Sequence, residues 1–286
     1  MPNEYLHSEF RKLVNTVSQL NKYKSEARKV YIGQDKAIRE FHEQLPHWST
    51  RKEDGMVYYF HYQSPSTGED LLAEPVPMML NDQLELNSLQ QLKTYHWLLV
   101  EAYEAFEDFL ENSYAFCGVN RIGIWERPKR WEHEGSNELR HYNTKRKPYG
   151  QLEAFRDASE HFARFEVNGP TKRNFKVVFV MMERLRHVIV HNGGYCDDFK
   201  AMIDNMQGPL KGMEMKVVRE YADLHFMMHR GRRLVDLFEV QHEDEAGLET
   251  GYYQDVLLGF LRMVVEYAQL IMESIEMHQI LPKPRN

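Results

Sequence analysis

The longest hydrophobic pattern in the chain runs from residue 82 to about residue 116, where Leu89, Leu92, His96, Leu99, Tyr103, Phe106 and Leu110 alternate steps of three and four. At 3.6 residues per turn that spacing lines one face, so a long helix with a continuous packing seam is predicted. Tyr253, Val256, Phe260, Met263, Tyr267, Leu270, Ser274 and Met277 repeat the stepping and predict a second long helix that ends before Pro282. Between them the pattern predicts helices at about 150–165, from Asn174 to the Asn192-Gly193-Gly194 segment, and at about 213–238. Gly208-Pro209 and the acidic stretch 239–251 read as loops. The chain is therefore expected to be mainly α, with a helical domain over 82–281 and sheet confined to the N-terminal region.

Residues 1–81 carry a different signal. Phe10, Leu13, Val17 and Leu20 predict a leading helix that extends to about residue 45. The aromatic run Met56-Val57-Tyr58-Tyr59-Phe60-His61-Tyr62, the turn residues Ser64-Pro65-Ser66-Thr67-Gly68 and a return through Val76 predict a small β-hairpin. We read this part as an accessory region for dimerisation or partner binding.

With 286 residues and 42% hydrophobic composition the chain can bury at least one sizeable core. No apolar run reaches the roughly 18 residues of a membrane span, and Met1-Pro2-Asn3-Glu4 opens a charged stretch, so a cytoplasmic protein without membrane association is expected. Cys117 and Cys196 are too few for a disulfide framework and read as reduced thiols. A net charge of −7 argues against indiscriminate nucleic-acid binding, so any such site must be a local patch. One exists in a loop-rich insertion at about 117–150. Eight basic residues against four glutamates make residues 121–150 net +4, with Trp125, Trp131, Tyr142 and Tyr149 interleaved. Arg127, Lys129, Arg130, Lys145, Arg146 and Lys147 are its candidate RNA contacts, with the aromatic faces available for base stacking.

The segment Arg186-His187-Val188-Ile189-Val190-His191-Asn192-Gly193-Gly194 holds the candidate chemistry. A guanidinium forks onto phosphate and keeps its charge, whereas an imidazole moves a proton near neutral pH. Phe175, Val178, Met182, Leu185 and Ile189 form the buried ridge of this helix. At about 100° per residue, Arg186 lies roughly 60° from Ile189, while His187 and His191 fall almost opposite, away from the core. Asn192-Gly193-Gly194 reads as a left-handed helix cap. Arg186 and His191 are separated by roughly 7.5 Å in rise and about 140° in direction, too far for one copy to wrap a single phosphate. A homodimer with both motifs in one cleft resolves this.

This Arg-x4-His element, with a polar residue after the arginine and His-Asn-Gly at its end, resembles the active-site motif of the HEPN superfamily, all-helical domains that include metal-independent endoribonucleases of toxin–antitoxin, abortive-infection and CRISPR-associated systems. The acidic run from Val100 to Leu110 is similar to the first long helix of many HEPN domains. The resemblance implies a HEPN-like bundle over 82–281 and a homodimer with a composite site. It also implies RNA cleavage through a 2′,3′-cyclic phosphate without metal or cofactor, with Arg186 and His191 catalytic and His187 and Asn192 supporting. A role in antiviral defence and an antitoxin or regulatory partner are likewise implied. The alternative is a catalytically inactive HEPN-like module that binds RNA or protein.

A competing reading places metal ligands at His187 and His191 and at His225 and His229, each pair four apart and so on one face of a predicted helix. The His-Glu-x-x-His pattern of zinc hydrolases is not met, because Val188 stands where the glutamate is required. Phosphate-binding Gly-x4-Gly-Lys-Ser/Thr, Gly-x-Ser-x-Gly and Gly-x-Gly-x-x-Gly motifs are absent.

Overall fold

A computed structural model describes residues 2–50, 55–58, 60–73, 76–120, 148–243 and 249–280. Among these the chain is mainly helical. The helices are α1 (Pro2–Gln44), α2 (Leu80–Val119), α3 (Pro148–Ala158), α4 (Glu160–Val167), α5 (Phe175–Asn192), α6 (Phe199–Asp204), α7 (Met215–Asp223) and α8 (Val256–Ile280). None of them is long and apolar enough to cross a membrane. The chain divides into two compact units, residues 23–94 and residues 1–22 with 95–286, so the first 22 residues count with the larger helical unit.

In the larger unit the predicted seams of α2 and α8 meet the apolar face of α5. Leu99, Tyr103, Phe106 and Leu110 of α2, Phe260, Tyr267 and Leu270 of α8, and Phe175, Phe179, Met182 and Leu185 of α5 are all buried, and the rings of Tyr103, Phe106 and Tyr267 pack on Phe179. The fully buried ring of Tyr267 stacks on Phe106 at 5.3 Å and on Phe175 at 5.4 Å between ring centres. Such pairs add to the burial of their area. A phenol this deep needs an acceptor, and its hydroxyl donates to Glu166. Glu166 is itself buried and is held by Arg156 through two hydrogen bonds of 2.6 and 2.8 Å.

Several predicted boundaries shift. The helix expected at 150–165 is two, α3 and α4, because Ser159 breaks it and caps α4 by accepting from the Phe162 amide at 3.1 Å. The helix expected at 213–238 ends at Asp223. Strands β6 (Phe226–His229) and β7 (Arg232–Val235) follow, and they join β5 (Tyr195–Cys196) in an antiparallel sheet of order β5-β7-β6. Arg230 and Gly231 both take positive φ, as a two-residue hairpin turn with the right-handed strand twist demands. The acidic stretch 239–251, expected as a loop, contributes to the hairpin β8 (Glu239–Glu243) and β9 (Glu249–Asp255), so α8 starts only at Val256. Sheet is therefore not confined to the N-terminal region.

In the smaller unit the predicted hairpin is present as two nested ladders. Strands β1 (Met56–Tyr58) and β4 (Val76–Met78) pair outside β2 (His61–Gln63) and β3 (Asp70–Leu72), with Met56 opposite Met78 and His61 opposite Leu72. The inner turn closes through the Gly68 amide on the Ser64 carbonyl at 2.9 Å.

Removing one member of a buried, hydrogen-bonded ion pair strands the other charge, a loss of about 3 kcal/mol. Glu166→Ala is therefore expected to destabilise the larger unit by about that amount in chemical denaturation. A change below about 0.5 kcal/mol, the range of ordinary surface substitutions, would show that the cluster contributes nothing.

Candidate active site

Helix α5 carries the Arg-x4-His element from its core-facing middle to its solvent-facing end. It starts at Asn174, whose side chain accepts from the Val177 amide at 3.1 Å. It buries Phe175, Phe179, Met182, Leu185 and Ile189, whereas Val178 of the predicted ridge is only half-buried. His187, His191 and Asn192 are exposed, as the helical phase predicts. The two imidazoles lie one above the other, with ring centres 4.5 Å apart. Gly193 then takes the left-handed conformation at φ 59°, and the Gly194 amide donates back to the Val188 carbonyl at 3.0 Å.

The chain turns sharply there because of a contact with α2. Gly194, at φ +90°, leaves no room for a side chain, since an added Cβ would stand 2.6 Å from Cε1 of His96. His96 is buried, and its Nε2 donates to the Val235 carbonyl at 2.8 Å. The Val235 amide in turn donates to the Gly194 carbonyl at 2.9 Å. The end of α5 is thus tied to α2 and β7, and His191 occupies the last exposed turn before the tie.

Arg186 is half-buried and held from α2. Its Nη2 donates to Glu104 Oε1 at 3.3 Å, and its guanidinium carbon lies 5.5 Å from the centre of the Tyr103 ring. Burial pushes the Glu107 carboxyl up, against a hydrogen bond from Tyr103 and the charge of Arg186. Burial also raises the Tyr103 phenol, with help from the carboxylates of Glu107 and Glu183. Tyr149, at the start of α3, donates to Glu183 at 2.9 Å. Glu104, Glu107 and Tyr103 thus form the acidic, aromatic surroundings of the arginine, with the Tyr149–Glu183 pair near Tyr103. Only the acidic run on α2 is visible in sequence; which acid reaches Arg186 depends on how α2 is rotated against α5.

The two histidine pairs do not combine. His225 and His229 lie on either side of the start of β6 instead of on one helical face. His229 Nδ1 is 2.8 Å from the Tyr195 hydroxyl. The His225 ring is packed between Tyr221 at 4.9 Å and Phe260 at 5.1 Å, and neither of its nitrogens has a hydrogen-bond partner. Among the described residues no group of three or more His, Cys, Asp or Glu side chains is placed to hold a metal ion. The six candidate RNA contacts Arg127, Lys129, Arg130, Lys145, Arg146 and Lys147 lie outside the described residues.

Comparison with known protein families, curated proteins and solved structures finds no match to the chain.

Burial pushes the His225 imidazole down to about 4. The folded state therefore excludes a proton that the unfolded chain binds below its ordinary value of about 6.5. Stability is full above that value and falls as pH drops through the window from 6.5 to about 4, by roughly 3 kcal/mol from this group. Replacing it by an apolar ring, His225→Phe, is expected to flatten that part of the stability–pH curve. Parallel curves for the two proteins would show that His225 does not titrate across unfolding.

Proposed function

We propose that the chain is a metal-independent endoribonuclease of HEPN type acting as a homodimer. The observation that carries this reading is the division of labour along α5. Two adjacent imidazoles, their rings tilted by 50°, stand exposed at its end, while a guanidinium one and a half turns before His191 is oriented by Glu104 and Tyr103. Histidines that served packing would be buried, and an arginine that served only solubility would not be braced.

In the proposed reaction the 2′-hydroxyl of RNA attacks the adjacent phosphorus. The bond from phosphorus to O2′ forms and the bond to O5′ breaks. His191 takes the hydroxyl proton or supplies one to the departing O5′. Arg186 binds the phosphate and offsets the charge that grows on its oxygens. Its bridge to Glu104 does not prevent this, because a partly exposed ion pair is worth about 0–1 kcal/mol and phosphate can compete for the guanidinium. His187 and Asn192 orient His191 or the substrate. Since Arg186 and His191 point about 140° apart on one helix, each phosphate meets residues from both copies. A function in antiviral defence or in a toxin–antitoxin pair, with an antitoxin or regulatory partner, belongs to the same proposal.

The second reading, an inactive module that binds RNA or protein, is favoured by the carboxylate that already engages Arg186. Cleavage separates the two. Purified protein is expected to cut RNA in excess EDTA. His191→Ala and Arg186→Ala are each expected to lower the rate by about 10² to 10⁴. Both variants are expected to keep stability within about 1 kcal/mol, as suits side chains outside the core. Near-normal cleavage by His191→Ala, or no cleavage by the wild type, would overturn the assignment. In mixtures of wild-type and His191→Ala subunits, activity is expected to fall more steeply than the wild-type fraction; strict proportionality would show that each chain holds a complete site.

A further inference from the structure

The end of α5 carries one imidazole more than proton transfer from the 2′-hydroxyl needs. His191 suffices for that step. His187 stands one turn earlier on the same exposed face, with its ring centre 4.5 Å from that of His191 and the two planes tilted by 50°. Both rings hang from a helix of 18 residues that is fixed by its buried face and stopped at Gly194, so the backbone sets how far apart they can stand. The other two histidines four apart offer no such pair, because His225 and His229 lie on either side of the start of β6.

We propose that His187 and His191 together hold a divalent transition-metal ion of the zinc, nickel and copper class, and that the bound ion shuts the site. Metal–imidazole bonds are about 2.1 Å long, so two rings on one ion have centres about 4.6 Å apart at a right angle and about 5.3 Å apart at the tetrahedral angle. The observed 4.5 Å matches the first and is within reach of the second for two exposed side chains. Imidazole nitrogen selects ions of intermediate softness, whereas magnesium and calcium prefer oxygen. The local field favours a cation, since the last carbonyls of α5 form the negative end of the helix dipole and the neighbouring guanidinium of Arg186 is engaged by Glu104. Two protein ligands are fewer than the four of a structural zinc site, so the ion exchanges with solvent and acts as a reversible occupant instead of a part of the fold.

The effect on cleavage rests on the ribonuclease reading; the metal site itself does not. A neutral imidazole has one free lone pair. An ion that takes the lone pair of His191 leaves it unable to accept a proton from the 2′-hydroxyl. Cleavage in excess EDTA is then the uninhibited state of the protein.

Calorimetric titration of the metal-stripped full chain with zinc chloride tests the site, with circular dichroism to confirm that each variant is folded. The wild type is expected to show a binding event that magnesium does not give. His187→Ala and His191→Ala are each expected to weaken it roughly a hundredfold, because the second ligand of a chelate binds at high effective concentration. His7→Ala, which removes an exposed histidine beside Glu276 elsewhere on the surface, is expected to keep it. Zinc is expected to shift the ring-proton NMR signals of His187 and His191 together. Saturating zinc is expected to slow RNA cleavage by about 10², as suits loss of a general base, and EDTA to restore it. Whatever cleavage His187→Ala retains is expected to lose most of its sensitivity to zinc. A wild type that binds no zinc, or binding equally strong in His187→Ala and His191→Ala, would overturn the site. Cleavage unchanged or accelerated at full occupancy would overturn its inhibitory role. Zinc binding at the pair in a protein that cuts no RNA in EDTA would support the site and overturn the ribonuclease reading instead.

Discussion

The candidate site depends on one close approach. Gly194 lies against His96 with no space for a Cβ, and His96 and Gly194 are bonded to the two sides of the same residue, Val235. That contact joins α2, the end of α5 and the central strand of a small sheet, so α5 must stop where it does. Had the helix run on, His191 would not belong to a final turn. The sheet thus acts as a stop for the helix that bears the histidines, although it was not foreseen.

The same α2 that supplies His96 supplies the surroundings of Arg186. Tyr103 is buried, and it presents its ring to the guanidinium and its hydroxyl to Glu107. Glu104 takes the guanidinium itself. Two positions on one helix, about two turns apart, therefore set the end of α5 and the orientation of its arginine. Both rest on the aromatic core around Phe106, Phe179 and Tyr267. The proposed chemistry asks for donors that are already oriented when the phosphate arrives. Arg186 is braced in that sense, while the imidazoles remain open to solvent.

What could be read in sequence were features that local geometry decides. The seams of α2 and α8 step by three and four, and Leu92, Leu99, Tyr103, Phe106, Phe260 and Tyr267 are buried where that stepping put them, whereas Leu89 is half-buried and Met277 is exposed. The exposure of His187 and His191 and the left-handed cap at Gly193 followed from the phase of one helix. The region after Asp223 was misread because Met227 and Met228 favour helix and His225 and His229 stand four apart. Arg230-Gly231 was the available turn signal, but it matters only once β5 and β7 pair, and that pairing joins distant parts of the chain. Which acid reaches Arg186 was unreadable for the same reason: five acidic residues lie between positions 101 and 111 of α2, and the contact between two helices selects among them.

The chemistry of the cut ends tests the central claim most directly. Attack by the neighbouring 2′-hydroxyl predicts fragments with a 5′-hydroxyl on one side and a 2′,3′-cyclic phosphate, or the monophosphate it hydrolyses to, on the other. A substrate with a single 2′-deoxy nucleotide at the cleavage position should then resist cutting there. Fragments that carry 5′-phosphate and 3′-hydroxyl ends, or cleavage at the deoxy position, would mean that water or another external nucleophile attacks the phosphorus and would contradict the roles given to Arg186 and His191.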